Sequence, residues 1–118
     1  YRDVVNEVQR HVLPHQHNFL RHADYLGPAL QSLHDTWSVA RAGLSAEGED
    51  VFRAREAAAM VAHSRWMYHA ALQRNETRGM HKRLDHPALD PAQQYRLLTG
   101  GLDEIWTRPE PVRFGRAA

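Results

Sequence analysis

The stretch LGPALQSLHDTWSVARAGL, residues 26–44, places apolar side chains at Leu26, Leu30, Leu33, Trp37, Ala40 and Leu44. Steps of three and four residues lay these groups in one stripe along a helix, with Gln31, His34, Asp35 and Arg41 on the other side. Asp24 and Gly27-Pro28 mark the start, because proline is tolerated in the first turn, where its missing N–H has no partner to lose. Gly43 and Ser45-Ala46-Glu47-Gly48 break the stripe and predict a turn into another helix.

That next helix is predicted from about Val51 to Asn75. Glu49 and Asp50 stand at its positive end, and Ala57-Ala58-Ala59-Met60-Val61-Ala62 is apolar nearly all round. Such a segment needs neighbours on more than one side, and its alanines allow close approach. Trp66, Met67, Ala70 and Leu72 continue the buried part, and Gly79 is a natural stop. Upstream, Val5, Val8 and Val12 recur at helical spacing until Pro14 ends the run; Phe19, Leu20 and Ala23 suggest a short helical turn. The expected fold is therefore all-α, an antiparallel three-helix bundle. Its expected core includes Val8, Val12, Leu30, Leu33, Trp37, Ala58, Val61, Ala62 and Trp66.

Beyond Gly79 the character changes. Four of the six prolines (Pro87, Pro91, Pro109 and Pro111) fall in the last 32 residues. Two readings compete for 91–107. Tyr95–Thr99 and Leu102–Thr107 are β-capable runs around Gly100-Gly101, a pair suited to the positive φ of a tight hairpin. Alternatively, Asp90 caps a helix over 91–98, with Gln93 completing a capping box. The tail after Pro109 reads as extended. The chain divides into a bundle over 1–78 and a segment over 79–118 holding the exit motif, the hairpin and the tail, within one domain.

Composition narrows the chemistry. The chain's 118 residues suit a single domain. Its formal charge of +1 creates no global field for nucleic acid or an anionic membrane, and the fourteen arginines are scattered singly, unlike a binding stripe. Cysteine is absent, which excludes thiolate metal sites, disulfides and cysteine nucleophiles within this chain. No apolar run approaches the roughly 20 residues needed to span a bilayer, and no secretory signal pattern opens the chain. Tyr1 in place of Met suggests a fragment or a processed product.

His11, His15, His17 and His22 cluster, and His11 and His15 share an i, i+4 spacing seen in zinc sites. Pro14 interrupts that face and no carboxylate ligand pattern accompanies it, so no metal site is assigned. None of the seven glutamates has a histidine three residues later, which removes a di-iron bundle site. Phosphate-binding glycine loops, G-x-S-x-G and H-E-x-x-H are also absent, and no catalytic residue is assigned.

The exit from the long helix is more specific: Asn75-Glu76-Thr77-Arg78-Gly79-Met80-His81-Lys82-Arg83-Leu84-Asp85-His86-Pro87. Arginine and histidine beside a helix C-terminus can bind its free carbonyls while acids orient the guanidinium groups. Arg78, His81, Arg83 and Asp85 are thus expected to cluster there, with Glu76, Asp85 and the last helix carbonyls as acceptors. If their role is docking and turn geometry, Arg78→Ala in this chain alone is expected to be mild, because solvent can replace the missing partner.

This segment resembles the E-S-R-G-x-H-x-R-x-D-x-P signature of the succinate dehydrogenase and fumarate reductase flavoprotein subunits. L-aspartate oxidase and the adenylylsulfate reductase flavoprotein carry related versions. Thr77 stands for the usual serine. After the motif, where respiratory members carry W-x-x-H, this chain has Pro91-Ala92-Gln93-Gln94-Tyr95-Arg96-Leu97, so another FAD-dependent oxidoreductase of the superfamily fits equally well. The resemblance implies a C-terminal domain, a spectrin-repeat-like three-helix bundle packed on flavin-binding and capping domains. It implies FAD in the parent and none in this fragment, because no G-x-G-x-x-G turn exists here. It also implies Glu76, Arg78, Gly79, His81, Arg83 and Asp85 as docking residues, an iron–sulfur electron partner, and a cytoplasmic location at the inner membrane face through partner subunits. A free-standing helical interaction module and a metal- or pH-responsive domain built on the histidine cluster are the alternatives.

Overall fold

The computed structural model describes residues 1–14, 18–44 and 46–110. Three helices form the body: α1 (Arg2–Val12), α2 (Ala23–Ala42) and α3 (Asp50–Gln73). A single 3₁₀ turn (Pro91–Gln93) and an antiparallel hairpin, β1 (Leu97–Gly100) and β2 (Trp106–Pro109), follow. This is the three-helix bundle expected, with a C-terminal hairpin. Among its helices α3 is central, packing on both α1 and α2 and carrying the hairpin.

The core lies where the three apolar faces meet. Val4 and Val8 come from α1, Leu26, Ala29, Leu30 and Leu33 from α2, and Ala57, Val61, Tyr68 and Ala71 from α3. Of the expected core, Val8, Leu30, Leu33, Val61 and Ala62 are buried, whereas Val12, Trp37, Ala58 and Trp66 are half-buried at its margin. On α1 the buried line runs Val4, Val8, His11, one residue away from the Val5 start of the sequence pattern. Two interactions set that rotation. His11 lies 3.0 Å from Glu7 Oε1, and the Tyr68 hydroxyl donates to the His11 carbonyl at 2.7 Å, tying α3 to the end of α1. Burial pushes the Tyr68 phenol up to about 12, so this donor stays protonated at any ordinary pH.

The start of α2 differs from expectation. The helix begins at Ala23, so Pro28 sits in its second turn. The reason is an N-terminal cap visible only in three dimensions: His22 Nδ1 accepts from the Asp24 amide at 3.0 Å, and Asp85 Oδ2 accepts from the Ala23 amide at 3.2 Å. At the other end of α1, the helix ends just before Pro14 as the sequence predicts, and Asn18 Nδ2 donates to the Val12 carbonyl at 3.2 Å.

Both readings of 91–107 contribute. Asp90 does cap, accepting from the Ala92 amide and from Gln93 Nε2 at 3.0 Å each, but the turn stops after Gln93 and becomes no helix. The hairpin forms with a shifted register: Leu97 faces Pro109 and Gly100 faces Trp106, so a five-residue loop, 101–105, replaces a Gly-Gly turn. Gly100 is needed inside β1 because the Trp106 indole crosses it; a Cβ there would lie 2.5 Å from the ring. Gly101 has φ +93°, and its Cβ would strike the Glu104 carbonyl. The tail beyond Glu110 lies outside the described residues.

Leu33 is fully buried between the helices. Leu33→Ala is expected to lower unfolding free energy by about 2–5 kcal/mol in urea denaturation, through lost transfer energy and the cavity left behind.

Candidate functional site

Two helix ends, the C-terminus of α3 and the N-terminus of α2, meet the segment 76–90. Each has backbone groups without intrahelical partners, because the last carbonyls and first amides of a helix point past its end. The exit segment satisfies them with charged side chains. Arg83, buried to 2% exposure, directs Nη1 at the Ala71, Leu72 and Arg74 carbonyls at 2.9, 3.2 and 3.3 Å. Its Nε and Nη2 donate to the two oxygens of Asp85 at 2.8 and 2.7 Å, a bidentate pair. Asp85 then accepts from the first amide of α2. A positive group thus sits at the negative end of α3, and a negative group sits at the positive end of α2. The Arg83 hydrogen bond holds the Asp85 carboxyl well below the usual carboxylate range, with smaller help from the Ala23 amide and against its partial burial.

His81 bridges the same two ends. Its Nε2 lies 3.0 Å from the Arg74 carbonyl and its Nδ1 lies 2.7 Å from Arg21 Nη1. A carbonyl can only accept and a guanidinium can only donate, so this ring is neutral with its proton on Nε2. Burial lowers its pKa, and the charges of Arg21, Arg83 and Arg74 act in the same direction. Backbone pairing completes the join: the Arg21 amide donates to the Lys82 carbonyl at 2.8 Å and the Leu84 amide to the Arg21 carbonyl at 2.6 Å.

Gly79 and Met80 form the tip of a tight turn closed by reciprocal Arg78 and His81 backbone bonds of 2.8 and 2.9 Å. Gly79 has φ +57°, the left-handed region that favours glycine. Thr77 Oγ1 fixes the return strand, donating to the His86 carbonyl at 2.9 Å and accepting from the Arg83 amide at 3.0 Å. A serine hydroxyl would do the same.

Glu76 is fully buried. Its Oε1 accepts from Arg78 Nε and lies 3.6 Å from Arg74 Nη1, while its Oε2 has no hydrogen-bond partner among the described residues. This corrects the expectation that Arg78→Ala is mild in this chain. Removal takes away the hydrogen-bond donor of a buried carboxylate and leaves it only the Arg74 guanidinium at 3.6 Å, a loss of about 2 kcal/mol.

Structure thus brings all six expected residues, Glu76, Arg78, Gly79, His81, Arg83 and Asp85, into one turn. Sequence reasoning missed Arg21, Arg74 and Arg65. Arg74 donates to the Gln93 and Tyr95 carbonyls at 3.0 and 2.7 Å and lies over the Tyr95 ring. Arg65, 2% exposed, stacks on Trp37 and donates to His34 Nδ1 at 2.9 Å and the Leu102 carbonyl at 2.5 Å, holding the hairpin loop. Trp66 Nε1 joins it by donating to the Gly101 carbonyl at 2.6 Å. One signal was readable: Arg65 falls on the Val61–Tyr68 line of α3, and a charge at a buried helical position demands a partner.

Of the histidine cluster, His11 packs against Glu7 and His22 caps α2, while His15 and His17 lie outside the described residues. Among the described residues no group of three or more histidine or carboxylate side chains is placed to hold a metal ion.

The family described as the fumarate reductase flavoprotein C-terminal region matches residues 10–108, from the last turn of α1 through the exit turn to β2. The chain belongs to that family. No curated protein and no solved structure matches it.

Two measurements check the role of the exit segment. Arg83→Ala is expected to lower stability by about 3 kcal/mol in urea, because it uncovers three carbonyls and leaves Asp85 without its partner. Acid should also destabilise the chain in a defined order. His81, like His34 and His69, binds a proton more weakly folded than unfolded, so stability is full above the ordinary histidine value of 6.5 and falls as pH drops below it. Asp85 adds a second fall below the ordinary 3.8. Urea midpoints between pH 8 and pH 3 should show both, and His81→Gln should reduce the first.

Proposed function

We propose that this chain is the C-terminal helical domain of an FAD-dependent oxidoreductase, and that it acts by packing on the parent's flavin-binding and capping domains. The carrying observation is the exit turn. Its charged groups point inward onto helix ends, which makes the turn rigid, while the tip presents Met80 at 78% exposure. Met80 borders a concavity that the exposed Leu13 and Phe19 line together with Arg21. A rigid turn with an apolar tip is suited to seat against another protein surface.

Catalysis belongs elsewhere on this reading. The described elements, three helices and an antiparallel hairpin, do not fit a dinucleotide, which needs parallel βαβ units and a glycine-rich turn at a helix N-terminus. FAD therefore sits in the parent's other domains and transfers a hydride or electrons there. An iron–sulfur subunit as electron partner and a cytoplasmic position at the inner membrane face complete the proposal. No helix of the described residues is long and apolar enough to cross a membrane.

Met80→Glu in the full-length parent tests packing cleanly, because the exposed side chain supports little within this chain. The chain alone should keep its melting temperature within about 2 °C, since surface substitutions of this kind cost under about 0.5 kcal/mol. The parent should lose flavin on dilution or gel filtration, and turnover should fall with flavin content. Full flavin content with turnover lost would indicate direct participation in chemistry. No change in either would show that the Met80 tip does not seat on the parent's other domains.

A further inference from the structure

Beside the exit turn, between the last turn of α3 and the chain entering β1, lies an open cleft of about 550 Å³. Four arginines line it, Arg21, Arg74, Arg78 and Arg96, and no aspartate or glutamate does. The carboxylates that touch these cations are Glu76, on Arg74 and Arg78, and Glu110, on Arg96 at 2.5 Å. Asp90 also stands close enough to Arg78 for their charges to interact. Arg21 is left without a carboxylate among the described residues: its nitrogens meet Asn18 and neutral His81, and its partial burial lowers its pKa.

Donors remain for a ligand. A terminal guanidinium nitrogen carries two hydrogens. Each terminal nitrogen of Arg21 spends one within the chain, and Arg78 Nη1 spends none among the described residues. The lining also has an apolar part, Met67, Ala70 and Leu97, and includes Tyr95, whose ring lies against Arg74. Uncompensated guanidinium charge calls for an oxyanion held by forked hydrogen bonds. An apolar lining calls for a body to cover it, which inorganic phosphate lacks.

We propose that this cleft is a carboxylate-binding site, taking a carboxylate carried on a short apolar or aromatic stem. The carboxylate meets Arg21 and Arg78, and the stem lies on Met67, Ala70 and Leu97. Two sources share this chemistry: a free carboxylic acid, or an acidic side chain of the longer parent chain. The site rests on the cleft's own charge and shape; Arg21 also lines the concavity beside the Met80 tip, whereas Arg78, Ala70 and Leu97 line the cleft and not that concavity.

Sodium benzoate is the probe, titrated into this chain at constant ionic strength and followed by ¹H–¹⁵N NMR of backbone and arginine Nε–H signals. Saturable shifts at Arg21, Arg78, Tyr95 and Leu97 are expected, and Arg21→Gln should weaken binding at least ten-fold. Because Arg21 also contacts His81, Ala70→Glu provides a second variant that leaves that contact alone. Its carboxylate fills the cleft from the helix face, so it should abolish benzoate binding and raise the melting temperature. Absence of saturable shifts, equal shifts with neutral benzamide, or displacement of benzoate by equimolar phosphate would overturn the proposal. In the parent chain, retained benzoate binding identifies a free acid as the occupant, and its loss identifies an acidic side chain of the parent.

Discussion

One ion pair joins the parts of this domain that the sequence separates. Arg83 covers the carbonyl end of α3 and Asp85 covers the amide end of α2, and the two side chains meet in a bidentate contact between them. Antiparallel helices bring unlike dipole ends together, so a single Arg–Asp pair can neutralise both at once. Neither charge is left uncompensated, which is the condition for a buried ion pair to be tolerated. The helices cannot slide past one another without opening that pair. His81 adds a neutral bridge across the same junction.

Arginine recurs in this role throughout the C-terminal segment. Arg74 grips the 3₁₀ turn by two carbonyls, and Arg65 grips the hairpin loop while lying over Trp37. A guanidinium suits such positions because its five donors lie in one plane and can serve several acceptors, with a flat face left for an aromatic ring. The hairpin has only two short strands, too few to be stable alone, and it is held instead by side chains projecting from α3. His69 contributes in the same way, its Nδ1 lying 2.6 Å from Thr107 Oγ1.

These contacts explain how a segment dense in ionisable groups can serve as scaffold. Its carboxylates and guanidiniums are spent mainly on helix ends and on each other, leaving the apolar Met80 tip and the arginine cleft facing outward. Membership of the fumarate reductase flavoprotein C-terminal family places such a domain beside others in one chain. The outward features, rather than the reactive groups, are the ones able to recognise something beyond the bundle.

How much of this was legible in sequence differs by element. The Leu26–Leu44 and Val51–Asn75 patterns identified α2 and α3 because helix periodicity is local and repeats over several turns. The exit motif was legible for the same reason: its acids, arginines and glycine lie within a dozen residues, and the capping partners they need are the nearest available. Other features depended on residues far apart in the chain. Asp85 moved the start of α2 from the Gly27-Pro28 signal back to Ala23, across 62 positions of sequence. Arg65 and Trp66 pulled the hairpin loop onto α3 and shifted its register away from the Gly-Gly turn. Glu76 was visible as an acid beside arginines, but only packing revealed that it is buried, and that decides what losing Arg78 costs. The cleft among Arg21, Arg74, Arg78 and Arg96 likewise exists only after folding. Sequence determined which segments are helical and which residues carry charge; tertiary structure decided which charges are paired, buried or left open, because pairing depends on distance in space.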